Sequence, residues 1–278
     1  MNRLPTLFVS HGAPTFALAP GRAGALLREL GPLLPRPEAV LVVSPHWGSH
    51  QPLVGTSAQP ATVHDFGGFP APLYRLQYPA PGHPALAQRA VDVLRAAGWD
   101  ARAHPERGLD HGAWVPLMHL FSQADLPVFQ VSLPVSLDGD AAFAYGQALA
   151  PLRDEGVLIV GSGSLTHNLY EFRQAGVPQA AYAREFSAWV REAVQAGDTQ
   201  RLVNTLALAP HAERAHPTSE HFLPLLVALG AAGGSLPATV LDGGIEHGVL
   251  SMESYVFGAE VAMPLAADAE DAEDAMRA

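Results

Sequence analysis

The chain has 278 residues, 48% hydrophobic and 15% charged, which suits one large α/β domain and is too apolar for a disordered chain. A formal net charge of −11, with no run of Lys or Arg, argues against a nucleic acid or an anionic membrane as partner. Without cysteine there is no disulfide framework and no thiolate site, so any metal must be held by His, Asp or Glu, and thirteen histidines are present.

The opening "MNRLPTLFVS" holds an apolar run too short for a signal peptide or a membrane span, so a cytoplasmic protein is expected. "TLFVS" reads as a buried strand that ends at His11, with Gly12 and Pro14 close behind. "AVLVVS" repeats the pattern and runs into "PHWG", placing His46 at a similar junction. The stretch 48–82 is rich in Pro and Gly and carries Phe66, Phe69, Tyr74 and Tyr78, as an ordered loop covering a site would. "HPALAQRAVDVLRAAG" sets Leu86, Ala90, Val91 and Leu94 on one helical face and stops at Gly98.

"GLDHGAWVPLMHLF" puts His111 in a loop just before a helix, whereas His119, among Leu117, Met118 and Leu120, reads as structural. "LPVFQVSL" and "GVLIVGSG" are two further strands. The glycines after the second lack the third Gly of a dinucleotide fingerprint and a following Gly-Lys-Ser/Thr, and no G-x-S-x-G marks Ser162 or Ser164 as a nucleophile. His167 follows directly. "AYAREFSAWVREAVQAG" carries the stripe Phe186, Trp189, Val190 and Val194, with Gly197 as its stop.

In "HPTSEHFLPLLVALGAAG", Thr218 or Ser219 is expected to cap a helix with Glu220 and His221 in its first turn. Glu220 suits the positive end of a helix dipole, whereas a protonated His221 does not. A neutral, metal-bound imidazole avoids that conflict, and His216 is the weaker alternative. "PATVLDGG" is a last strand.

Alternating strands and helices give an α/β fold: a single layered domain with a central, mainly parallel or mixed β-sheet flanked by helices. Residues 1–264 form the expected catalytic domain, and the acidic, Ala-rich 265–278 an expected disordered tail. Ligands of open α/β sheets bind beyond the carboxyl ends of strands, where His11 and His46 are expected. If the two strands are neighbours, their imidazoles can share one ion.

Six motifs in order, "SHGAPT", "SPHW", "LDHGAWVPL", "GSGSLTHNL", "HPTSEHFLPLLVALGAAG" and "SMESYVFG", resemble the class III extradiol ring-cleavage dioxygenases, in their DOPA-type branch. The resemblance spans nearly the whole chain. It implies that His11, His46 and His221 are metal ligands, that His167 is an acid/base or a further ligand, and that His111 contacts substrate. It implies Fe(II) for activity, with Zn(II) able to occupy the same imidazoles, and a small catechol and O2 as reactants. Many ring-cleaving relatives use a Glu as third ligand, so Glu220 stays open as the alternative at that corner. A zinc hydrolase on the same histidines and a non-enzymatic binding relative are the rival readings. Arg75 and Glu171 are the charged groups that an amino-acid side chain on the substrate would need, and nothing in the sequence places them at the site.

Overall fold

The computed structural model describes residues 3–172, 177–234 and 238–263. The expected acidic tail, 265–278, lies outside the described residues. The eight-stranded sheet is built from β1 (Thr6–Ser10), β2 (Ala39–Ser49), β3 (Leu53–Gly55), β4 (Arg102–His104), β5 (Val128–Pro134), β6 (Val157–Gly163), β7 (Ala238–Leu241) and β10 (Ser254–Phe257), in the order β4-β3-β5-β2-β6-β1-β10-β7. A small hairpin pairs β8 (Ile245–Glu246) with β9 (Leu250–Ser251).

The four central strands β5, β2, β6 and β1 are parallel. Antiparallel pairing brings in β10 and β7 on one side and joins β3 to β5 on the other, so the sheet is mixed. The central strands are buried on both faces, as their unbroken apolar runs require. Alternate residues go to opposite layers: Phe8, Leu41 and Val43 to one core, Leu7, Val9, Val40 and Val42 to the other.

The first core is closed by α2 (Pro84–Ala96), α4 (Gly139–Leu149), α5 (Ala181–Ala196) and α9 (Leu223–Ala232). Three short helices, α6 (Thr199–Val203), α7 (Thr205–Leu208) and α8 (Ala212–Ala215), link α5 to α9. The second core is closed by α1 (Gly21–Leu30) and α3 (His111–Leu120). The expected stripes of α2 and α5 face the core, and Gly98 and Gly197 end them with positive φ. No helix among the described residues is long and apolar enough to cross a membrane.

Three expectations need correction. β2 does not stop before His46. Ser44 pairs with Ser132 and Gly48 with Leu133, so Pro45, His46 and Trp47 bulge out of a strand that continues to Ser49. Nor are β1 and β2 neighbours, because β6 lies between them. And α9 begins at Leu223 without a side-chain cap, leaving Glu220 and His221 in the turn before it, where the Ser219 carbonyl accepts from the amides of Phe222 and Leu223.

Candidate metal centre

β1 and β6 end in register, Ser10 beside Gly163, so the chain leaves β1 at the carboxyl edge of the parallel strands with His11 as the next residue. Its amide donates to the Gly163 carbonyl (2.9 Å), and Gly12 then turns the chain at φ +59°, where a Cβ would lie 2.8 Å from Met252. The His11 ring is oriented by Ser162, whose hydroxyl donates to the Gly112 carbonyl. That hydroxyl has only one proton, so its 3.0 Å contact with His11 Nδ1 requires Nδ1–H as donor. His11 Nε2 is left with a free lone pair.

His46 reaches the same point from the bulge in β2, its Nε2 3.1 Å from His11 Nε2. The bulge is held by a buried polar network. The Ser44 hydroxyl accepts from the His46 amide (3.2 Å) and donates to Asp110 (2.8 Å), while Arg107 donates to Asp110 (2.6 Å) and to the His46 carbonyl (3.4 Å). Gln130 donates to the same carboxylate (2.8 Å) and accepts from the Asp110 amide (2.9 Å).

His221 arrives across β6 on the turn before α9. The turn sits directly on the strand: a Cβ at Gly163 would lie 2.2 Å from the His221 carbonyl, which accepts from the Ser164 amide at 3.0 Å. The glycine therefore makes room for the turn that carries His221. His221 Nδ1 donates to Glu220 (3.1 Å), and its buried Nε2 has no hydrogen-bond partner. One nitrogen from each of His11, His46 and His221 falls within 4.8 Å of the others, a grouping that could hold a metal ion. Glu220 spends an oxygen on the outer nitrogen of His221 and also accepts from Thr218 (3.0 Å), and it forms a second grouping within 4.8 Å with His167 and His221.

His111, the first residue of α3 and not a loop residue before it, packs 3.9 Å from the His46 ring, centroid to centroid. Asp65 accepts from both its amide (2.8 Å) and its Nδ1 (2.9 Å). Sequence reasoning passed over Asp65, although it lies in the long loop expected to cover a site. The His167 ring stacks on His221 at 3.4 Å between centroids and 8° between planes, with its amide donating to the Ala215 carbonyl (2.8 Å). His119 is structural: its Nε2 contacts the Phe16 carbonyl (3.1 Å), and it is not in the cluster.

Burial, reinforced by the mutual repulsion of the imidazoles, holds His11 and His221 well below their usual titration range. Burial first, then the proximity of His111, lowers His46 to about 4. Burial likewise lowers His167 to about 4, against the pull of Glu220, so its imidazole is neutral in the metal-free protein. Burial alone would raise Asp65, but its hydrogen bonds and charge interaction with His111 outweigh that and hold it at about 2. Neutral imidazoles with free lone pairs are the form that binds a metal.

These histidines form the floor of a cavity of about 350 Å3, walled by Phe66, Phe69, Leu169, Phe172 and Leu250. The Gly48–Gly82 stretch thus contributes Phe66 and Phe69 to the wall as well as Asp65. Arg75 is absent from the lining, and Glu171 is paired with Arg214 (2.7 and 2.8 Å).

Residues 22–258 match the family model described as the catalytic LigB subunit of aromatic ring-opening dioxygenase. The chain is similar to the 4,5-DOPA dioxygenase extradiol of Beta vulgaris, with 41% identity over 92% of this chain and 97% of that protein. It is also similar to the protein of the same name in Escherichia coli (strain K12), with 40% identity over 92% and 96%. In fold it is similar to a crystal structure of an uncharacterized Escherichia coli K12 protein, with a TM-score of 0.73 and 35% identity, covering 92% of this chain and 100% of that one.

Proposed function

The chain belongs to the family of catalytic LigB subunits of aromatic ring-opening dioxygenases, and from that membership we propose that it cleaves a catechol outside its two hydroxyls at an Fe(II) held by His11, His46 and His221. The observation that carries the reading is the unpartnered, buried Nε2 of His221 beside the facing Nε2 atoms of His11 and His46. A buried nitrogen without a partner is costly, and a metal removes that cost. Three neutral imidazoles suit ferrous iron, and zinc could take the same place without redox chemistry.

Bound iron supplies the electron path between catechol and O2 that the side chains lack. The protein provides the rest. Ser162 and Glu220 fix the outer nitrogens of His11 and His221, so the two rings are set before any ion arrives. The bulge network does the same for the His46 backbone. His167, neutral and in the cavity lining, accepts a phenolic proton as the catechol enters and returns it to the opened ring. Its stack on His221 also keeps open its second assignment, as a further ligand. His111, with Nδ1 engaged by Asp65, presents Nε2 to substrate. Phe66 and Phe69 shield the reacting ring from water.

The test is oxygen uptake and ring-fission absorbance with a panel of catechols, using metal-free protein reloaded anaerobically with Fe(II) or Zn(II). Iron-dependent uptake with a yellow product supports the assignment. Silence from protein confirmed to be iron-loaded, with every catechol, overturns it.

A further inference from the structure

Away from the metal centre, we propose that the cleft formed by α5, the start of α1 and the turn between β7 and β8 binds a small organic anion through a phosphate or carboxylate group. The cleft has a volume of about 340 Å3, within the roughly 300–1,000 Å3 of small-molecule sites. It shares no lining residue with the cavity above the histidines, so its ligand need not be a reactant of ring cleavage.

One face of α5 supplies most of the polar lining. Arg184, Ser187, Ala188 and Arg191 follow the i, i+3, i+4, i+7 spacing and all line the cleft, whereas Phe186, Val190 and Val194 turn to the core. Ala188 carries a single methyl group and leaves that face open. Arg22, in the first turn of α1, and Asp242 and Ile245, on either side of the turn between β7 and β8, form other walls.

Three of the chain's 16 basic residues thus meet in one cleft of a protein whose net charge is −11. Arg191 is compensated: its Nε donates to Glu253 (3.0 Å), and it lies 3.3 Å from Asp242. Among the described residues Arg22 and Arg184 meet no carboxylate, and Arg184 donates to the Gln179 carbonyl (2.8 Å), which anchors it in the cleft wall without offsetting its charge. Guanidinium forks recognise phosphate and carboxylate through paired N–H donors. Ser187 points the same way independently. It is 5% exposed, and its hydroxyl has no hydrogen-bond partner, although a serine inside a helix can close on a carbonyl one turn back. A buried hydroxyl left unpaired is costly, and an anion in the cleft would accept its proton.

The experiment titrates inorganic phosphate and succinate into the protein by calorimetry at constant ionic strength, once metal-free and once zinc-loaded and freed of excess zinc. The same titrations are run on the double variant Arg22→Ala, Arg184→Ala and on Ser187→Ala. Both arginines are exposed, so removing them should leave the core intact. At least one probe is expected to bind the wild type one to one, with a Kd below about 1 mM in both metal states. The double variant is expected to weaken that binding at least about tenfold, and Ser187→Ala several-fold. Tighter binding of phosphate would identify a phosphate monoester as the ligand class, and tighter binding of succinate a carboxylate. No saturable binding of either probe, an unchanged Kd in the double variant, or binding seen only with zinc present, which would put the anion on the metal, overturns the proposal.

Discussion

His167 and His221 lie face to face, their ring centroids 3.4 Å apart and their planes within 8°. Two imidazolium rings cannot share that stack, and burial keeps both neutral in the metal-free protein. The two residues nevertheless separate by role. His221→Ala removes the unpartnered Nε2 and is expected to cut bound metal at least about tenfold, whereas His167→Ala keeps the metal and loses about 100- to 10,000-fold in turnover. Metal analysis alongside oxygen uptake checks this. Metal loss in both variants would make His167 a fourth ligand.

Ser162 tests the orientation of His11. Ser162→Ala removes the only hydroxyl that accepts from His11 Nδ1, freeing the ring to adopt the other tautomer. The fold should survive, because the change removes one atom from a strand position in the sheet interior. Metal affinity should fall about 10- to 100-fold, as for other groups that stand behind a ligand. Competition with a chelator of known affinity measures it.

Much of this was legible in the chain. Strands β1, β2, β5 and β6 carry unbroken apolar runs, because both faces of the central sheet are buried, and His11 stands out as the residue that follows β1. Other features rest on pairings that local sequence does not encode. β3 and β4 are three residues each and exist only through their partners. Asp65 meets a residue 46 positions away, and Ser162 one 151 positions away, so neither carries a local signature. The bulge at His46 depends on a carboxylate at Asp110, and nothing in "SPHW" alone calls for it. The start of α9 was misread because Thr218 and Ser219 are good capping residues, yet the Thr218 hydroxyl is spent on Glu220.

Asp65 is expected to act on turnover more than on metal content. Asp65→Asn keeps an acceptor for the His111 amide but loses the charge that fixes the His111 ring. A fall in kcat of about 10- to 100-fold is expected. Bound iron should stay near the wild-type level, since Asp65 is 3.8 Å from the nearest nitrogen of His46 and has no contact with His11. An unchanged kcat would remove His111 from the reaction.

Arg191 tests stability away from the metal. Glu253 is only 1% exposed and receives hydrogen bonds from Arg191 and from the Tyr255 hydroxyl (2.6 Å). Its carbonyl also accepts from the Ser10 hydroxyl (2.7 Å), one residue before His11. Arg191→Leu leaves that carboxylate buried without its cation and should cost about 3–5 kcal/mol. For a chain of this size that is a drop in Tm on the order of 10 °C by thermal denaturation. Arg191→Lys should recover part of it.

The last prediction concerns acid stability of the metal-free protein. His216 is buried, its Nε2 donates to the Leu165 carbonyl (2.9 Å), and its Nδ1 has no partner. Burial, only partly offset by that hydrogen bond, lowers it to about 4. The unfolded chain therefore takes up a proton on His216 near pH 6.5, while the folded chain does so only near 4. Between those values the unfolded state binds more protons, so the stability due to His216 is complete above about pH 6.5 and is lost as the pH falls toward 4. The loss is at most about 3.5 kcal/mol, from roughly 1.4 kcal/mol per pKa unit. His216→Gln retains a donor for Leu165 and cannot titrate there. Denaturant unfolding at pH 7 and pH 4.5 should therefore show a smaller difference in the variant than in the wild type, and an identical difference would mean that His216 keeps its solution pKa inside the fold.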